Sequence, residues 1–218
     1  MDNRDFFKGK DKVYYLTSSI GKTGELYLKP FKEILDSSFK WGKIIYKGEN
    51  YRKQIGKYGL ELKEIRDSLE NKLDNNVLRQ EIDKFLLSHN TLSLTTGSSL
   101  GLRSTPIEYS FIKGNIYLFS EGGEKFAHLL LSDKVCISIY DNYTGFNKLN
   151  GMQIKGKAEI LDKDAEEYLY ILKEKGLSSD KISAFGIDMN IIKVIPEITE
   201  FLSSDLKKYN VSLKQILK

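Results

Sequence analysis

The chain has 218 residues, of which 40% are hydrophobic and 29% charged, and a formal net charge of +4, the composition of a folded globular protein and not of a disordered one. That length suits one medium domain or a core domain with an appendage. No apolar run is long enough to span a bilayer, and the opening MDNRDFFKGKDK lacks the apolar segment of a signal peptide, so neither an anchor nor export is expected.

In chain order, Lys12–Thr17 and Glu25–Lys29 read as strands around a turn at Ser18–Gly24, and Pro30 opens a short helix through Ser37. Ser19-Ile20-Gly21-Lys22-Thr23 superficially matches a phosphate loop but lacks the leading glycine that lets the backbone wrap a phosphate. Most of the basic excess sits in Lys40–Lys57, where lysines and Arg52 interleave with Trp41, Tyr46, Tyr51 and Tyr58. That pattern can bind nucleic acid by phosphate contact and base stacking, although the mild overall charge favours a solvated rim whose aromatics pack inward. Leu62, Ile65, Leu69 and Leu73 recur at helical spacing until Asp74-Asn75-Asn76 interrupts them. Asn76 then caps a second helix, carrying Val77, Ile82, Phe85 and Leu86 on one face and ending near His89-Asn90.

Beyond this point short strands dominate. Thr91–Thr96, Arg103–Ile112, Asn115–Ser120, Val135–Tyr140, Met152–Leu161 and Met189–Ile195 read as strands, and Lys113-Gly114-Asn115 reads as a hairpin turn. Glu124–Leu131 reads as a short helix, Asp162 to about Lys175 as another stopped by Gly176, and Ser179–Phe185 as a further helical turn. Pro196 limits the last ladder, and Val211–Lys218 reads as a terminal helix. Strands 103–112 and 115–120 are too close in sequence to be parallel, so the fold class is α+β, mainly β, a small barrel with flanking helices. The domain reading is an N-terminal extension at 1–80, a barrel at 81–203 and a C-terminal tail at 204–218.

Catalytic constellations are nearly absent. Two histidines and one cysteine leave no set for a common structural zinc site, and no Gly-x-Ser-x-Gly elbow occurs. The lone Cys136 suits a reducing compartment, which makes the cytoplasm the expected location. His89 reads as a helix-terminus residue, His128 as a structural or surface residue one turn after Lys125, and Glu166-Glu167 as a solvated helix face. The chemistry concentrates in Gly101–Leu131. There a strand arginine (Arg103), a strand-end hydroxyl (Ser120), a glycine-bearing loop and a lysine at a helix start (Lys125) make a phosphate cradle.

EIDKFLLSHNTLSLTT, LRSTPIEY, NIYLFS, EKFAHLLLSDKVCISIYD and GMQIKGKAEIL follow, in that order, the pattern of another group of proteins. Over roughly Glu81 to Ser203 the chain resembles the pyridoxamine 5′-phosphate oxidase-like flavoproteins, which have the FMN-binding split-barrel fold. The resemblance implies a homodimer with FMN in a cleft between subunits. It also implies cofactor-binding roles for Arg103, Ser104, Thr105, Ser120, Lys125 and Gln153. Arg103 and Lys125 would take the phosphate with Ser120, the stretch Thr105 to Tyr109 would contact the flavin ring, and Gln153 would border the cofactor.

Departures from the pattern bear on activity. Oxidases of vitamin B6 carry a lysine where this chain has Glu108. The loop Glu121–Glu124 is shorter than usual and lacks a hydroxyl-basic pair, and Ile191–Lys218 offers no counterpart of the substrate-binding arginine and histidine. These departures argue against B6 oxidation. The leading reading is an FMN-dependent oxidoreductase drawing electrons from a nicotinamide or another small reductant, in which the flavin carries the redox chemistry and the protein holds the ring. A non-catalytic module holding flavin or haem is the second reading, and a nucleic-acid or protein adaptor acting through Lys40–Lys57 the third.

Overall fold

Burial alternates with period two along most of the strands, as in a sheet with one face turned to a core. The computed structural model describes residues 71–184, 186 and 188–218. The expectations for Lys12–Thr17, Glu25–Lys29, Pro30–Ser37 and Lys40–Lys57 lie outside the described residues, as does most of the Leu62–Leu73 helix. Residues Asn71–Lys218 form one compact unit, extending past both domain limits read from the sequence, 81 and 203.

The elements are helix α1 (Asn75–Leu87), strands β1 (Thr91–Ser98), β2 (Gly101–Ile112) and β3 (Asn115–Ser120), helix α2 (Glu124–Leu131), strands β4 (Lys134–Tyr140) and β5 (Asn150–Ile160), helices α3 (Glu166–Glu174) and α4 (Ser179–Ala184), and strands β6 (Asn190–Ser203) and β7 (Lys214–Leu217). All strand pairings are antiparallel, in the order β3-β2-β1-β4-β5-β6-β7, and a further pairing of β3 with β6 closes six strands into a barrel. Inward-facing residues stack in layers, one running Thr105–Leu94–Ile137–Ile154–Thr199 and the next Arg103–Thr96–Val135–Gly156.

β6 holds the barrel both closed and split. Its edge pairs with β3 over Asn190–Val194 and with β7 over Thr199–Leu202. Pro196 falls in the gap between those two ladders, where its missing N–H costs no hydrogen bond. The strand therefore runs on to Ser203 instead of stopping near Ile195. A register shift opposite Lys155/Gly156 accommodates the turn of the strand. A Cβ on Gly156 would stand 2.3 Å from the Ile195 carbonyl oxygen, so only glycine lets the two backbones approach this closely.

The C-terminal segment also departs from expectation. Ser204–Tyr209 forms a 3-10 turn and Lys214–Leu217 is strand β7, not a helix. The free edge of β6 past the end of β3 offers these four residues a ladder, which overrides any local helical tendency. α1 packs Leu78, Ile82, Phe85 and Leu86 into the barrel core, and Tyr109 donates its hydroxyl to the Leu86 carbonyl at 2.6 Å. α3 covers the outer face of β3 through a second cluster containing Tyr117, Tyr168 and Ile171. There Glu167, expected to be solvated, accepts hydrogen bonds from Tyr117 at 2.8 Å and Lys193 at 2.9 Å. No helix among the described residues is long and apolar enough to cross a membrane.

Candidate functional site

Arg103 shares its strand face with Thr105, Ile107 and Tyr109, but it lies at the strand's open end, past the rim of the packed core. Its side chain reaches the first turn of α2, where Nη1 donates to Glu124 Oε2 at 2.5 Å. Gly122 and Gly123 both take positive φ (140° and 101°), turning the chain from β3 into α2 without a side-chain cap. Lys125, the second residue of α2, is only 8% exposed, and its ammonium donates to the Gly122 carbonyl at 2.5 Å. Burial first, and then the neighbouring Arg103 charge, lower the Lys125 ammonium below the ordinary lysine range. Ser120 is buried at the end of β3, its hydroxyl exchanging 3.2 Å hydrogen bonds with the Gly122 carbonyl and amide. Three of the six residues singled out from the sequence are thus brought together around one glycine turn.

The other three are placed differently. Ser104 faces outward, its hydroxyl 2.7 Å from that of Ser93 on the neighbouring strand. Thr105 faces inward, and its buried hydroxyl, like that of Thr96 beside it, has no hydrogen-bond partner. Thr105 can therefore meet an outer-face ligand only through its backbone. Gln153 lies on the outer face of β5, opposite Ser138 and Glu200. With Tyr140, Gly151, Leu202 and Lys214 it lines a groove of about 340 Å³. The layer of Arg103 crosses β5 at Gly156, so Gln153 stands three strands away and on the opposite face, roughly 17 Å distant along the sheet. One chain does not assemble all six residues into one site.

Several partnerships emerge only from the tertiary structure. Glu124 holds the Arg103 fork with one oxygen while the other lies 3.7 Å from His128 Nε2. His128 is 2% exposed and its Nδ1 lies 2.9 Å from the Ser98 hydroxyl, which gives it a structural position under α2. His89 sits just past α1, with Nδ1 2.8 Å from the Phe85 carbonyl oxygen and Nε2 2.8 Å from Asp141 Oδ1. Glu108, where B6 oxidases carry lysine, accepts a 2.7 Å hydrogen bond from Lys175. Among the described residues no group of His, Cys, Asp and Glu is placed to hold a metal ion.

Comparison with known proteins decides the family. Residues 78–195, more than half of the chain, match the family model described as pyridoxamine 5′-phosphate oxidase. The chain belongs to the pyridoxamine 5′-phosphate oxidase-like family. The closed six-stranded antiparallel ring with flanking helices is the split barrel of that family. Solved structures with similar chains include a conserved hypothetical protein from Mycobacterium tuberculosis (20% identity, covering 62% of this chain and 88% of that one, TM-score 0.49). Others are the heme storage protein HutZ from Vibrio cholerae (16%, 54% and 89%, 0.45) and a FAD-binding protein from Mesorhizobium loti (17%, 60% and 93%, 0.45). At these identities and scores they add nothing to the assignment, which rests on the family model. No curated protein matches the chain. For a member of the pyridoxamine 5′-phosphate oxidase-like family, the Arg103–Ser120–Lys125 cluster is the part of the barrel equipped for an anion. A forked cation, a point cation and a hydroxyl suit a phosphate monoester.

Proposed function

We propose that the protein is an FMN-dependent oxidoreductase of the cytoplasm that works as a homodimer. The observation that carries this reading is the convergence of Arg103, Ser120 and the buried Lys125 on the Gly122–Gly123 turn. Among the described residues their cationic and hydroxyl groups make their hydrogen bonds with Glu124 and the Gly122 backbone, with the Phe126 ring 5.4 Å from the Lys125 ammonium. Arg103 and Lys125 would hold the phosphate, and Ser120 would turn its hydroxyl from Gly122 toward it. The flavin ring would lie along the outer face beside Ser104 and the backbone of Thr105. Small side chains at Ser93, Thr95, Ser104, Cys136 and Ser138 keep that face low enough for a planar ring. Gln153 lies on that same outer face beside Ser138, three strands from Arg103, where it would border the cofactor at the end of the face away from the phosphate.

Bound FMN supplies the hydride and electron chemistry; the chain's own residues bind, orient and shield it. Haem is the weaker fit. His89 engages both ring nitrogens, and His128 is buried against Ser98.

The test is to purify the protein, record its visible spectrum, titrate it with FMN and determine its mass in solution. We expect flavin absorbance, a dimer mass, and a loss of FMN affinity of about 2–3 kcal/mol in Arg103→Ala, from removing a charge-assisted contact to phosphate. Colourless protein that takes up no added FMN overturns the reading. Bound flavin that neither reduced nicotinamide reduces makes the protein a flavin-holding module instead.

A further inference from the structure

The groups that would receive the phosphate are not waiting open. The Arg103 guanidinium donates to Glu124 Oε2 at 2.5 Å, and the second oxygen of that carboxylate lies 3.7 Å from His128 Nε2. Lys125, one residue further along α2, is turned back onto the Gly122 carbonyl at 2.5 Å. Glu124 itself has a side chain 59% exposed, and among the described residues only Arg103 and His128 approach its carboxylate. It occupies the first turn of α2, where the helix dipole and the uncapped amides favour negative charge.

Resting on the flavin reading above, we infer that the Glu124 carboxylate is a built-in stand-in for the ligand's phosphate, holding the Arg103 fork and leaving it when a phosphate monoester enters. Binding is then an exchange of anions. Arg103 passes from carboxylate to phosphate, and the exposed Glu124 side chain swings into solvent, where its hydration offsets the lost pair. Arg103 stays oriented throughout, paired first with the carboxylate and then with the phosphate. The cost is affinity, because each binding event must displace Glu124 and leave its charge near a dianion.

The alternative role for Glu124 is a positioning one, in which the carboxylate keeps hold of Arg103 while the phosphate binds its other edge. The two roles predict opposite signs. FMN and riboflavin affinities are measured by flavin fluorescence for the wild type, Glu124→Gln, Glu124→Ala, Arg103→Ala and the Arg103→Ala/Glu124→Gln double variant. An exchanging carboxylate predicts FMN binding roughly 3- to 10-fold tighter in both Glu124 variants, unchanged riboflavin binding, and no such gain once Arg103 is gone. Weaker FMN binding in Glu124→Gln, or a gain that survives in the double variant, overturns the inference. If no variant binds FMN, the flavin reading fails, and inorganic phosphate followed by phosphorus NMR decides separately. Tighter phosphate binding by Glu124→Gln than by the wild type keeps the stand-in, and equal or weaker binding removes it.

Discussion

Lys125 shows how one residue acquires its behaviour from its surroundings. Its charged end is buried against Gly122 and faces the Arg103 charge, so the free protein holds its proton less tightly than an ordinary lysine, whose reference value is 10.5. A bound phosphate needs that proton in place. Below the lowered value both free and bound forms carry it, and affinity does not vary with pH. Above it, binding must take up a proton, so affinity falls as pH rises. FMN dissociation constants measured between about pH 7 and about pH 10 are therefore expected to weaken at lower pH than an exposed lysine would cause. Lys125→Arg, whose guanidinium stays charged, flattens the profile; a wild-type profile that falls no earlier than that of Lys125→Arg would contradict the account. Lys125 and Arg103 were legible as a pair of cations near a glycine turn. Glu124 was not legible as their partner, because 21 residues separate it from Arg103 and only the β2–β3 hairpin brings them together.

At the scale of elements, β6 carries the architecture. One edge serves β5 along almost its whole length, and the other serves β3 and then β7, with Pro196 in the interval. The bulge opposite Gly156 redirects the strand between those two ladders. Gly156→Ala would push a methyl group against the Ile195 backbone, with Cβ 2.3 Å from its carbonyl oxygen and 3.1 Å from its carbonyl carbon. Backbone must move to relieve that contact, so chemical denaturation should show a loss of about 2 kcal/mol or more. Gly151→Ala on the same strand, whose Cβ would meet its nearest neighbours at 3.6 Å, serves as the control and should cost less than half as much. The sequence shows a glycine and a proline in neighbouring strands, but not that they face each other.

For the described unit as a whole, the two ends of the chain segment are tied at Gln215. This side chain is 3% exposed, donates to the carbonyls of Asn71 at 3.0 Å and Ser212 at 2.7 Å, and accepts from the Leu73 amide at 3.0 Å. Lys208 and Tyr209 add hydrogen bonds to Glu81 on α1. Burial of the Glu81 carboxyl works to raise its pKa, but the hydrogen bonds from Lys84, Tyr209 and Lys208 outweigh it and hold the group below its usual value. Gln215→Leu keeps the volume, removes the acceptor of the Leu73 amide and the side-chain donor to the Ser212 carbonyl, and leaves the Asn71 carbonyl only the Ser212 amide at 3.3 Å. A loss of about 2 kcal/mol in unfolding free energy is expected, and a neutral result would show that water replaces all three bonds. The tie also gives a physical reason why residues past 203 belong with the barrel: Leu206 is fully buried in its core and Leu217 nearly so.

Alternation, turn glycines and helix spacing are local, since each depends on residues within a few positions of one another. They were enough to place strands β1 to β5, the hairpin at Lys113-Gly114 and helices α1 and α2, and so to indicate a mainly antiparallel barrel with two cations near the start of α2. Closure of β3 on β6, the capture of Lys214–Leu217 by the free end of that edge, and the occupation of Arg103 by Glu124 depend on segments distant in the chain. So does the separation of Gln153 from the cradle. Their free energy comes from backbone groups and charges that find each other only after the sheet has curved into a barrel, and no short window of sequence carries that information.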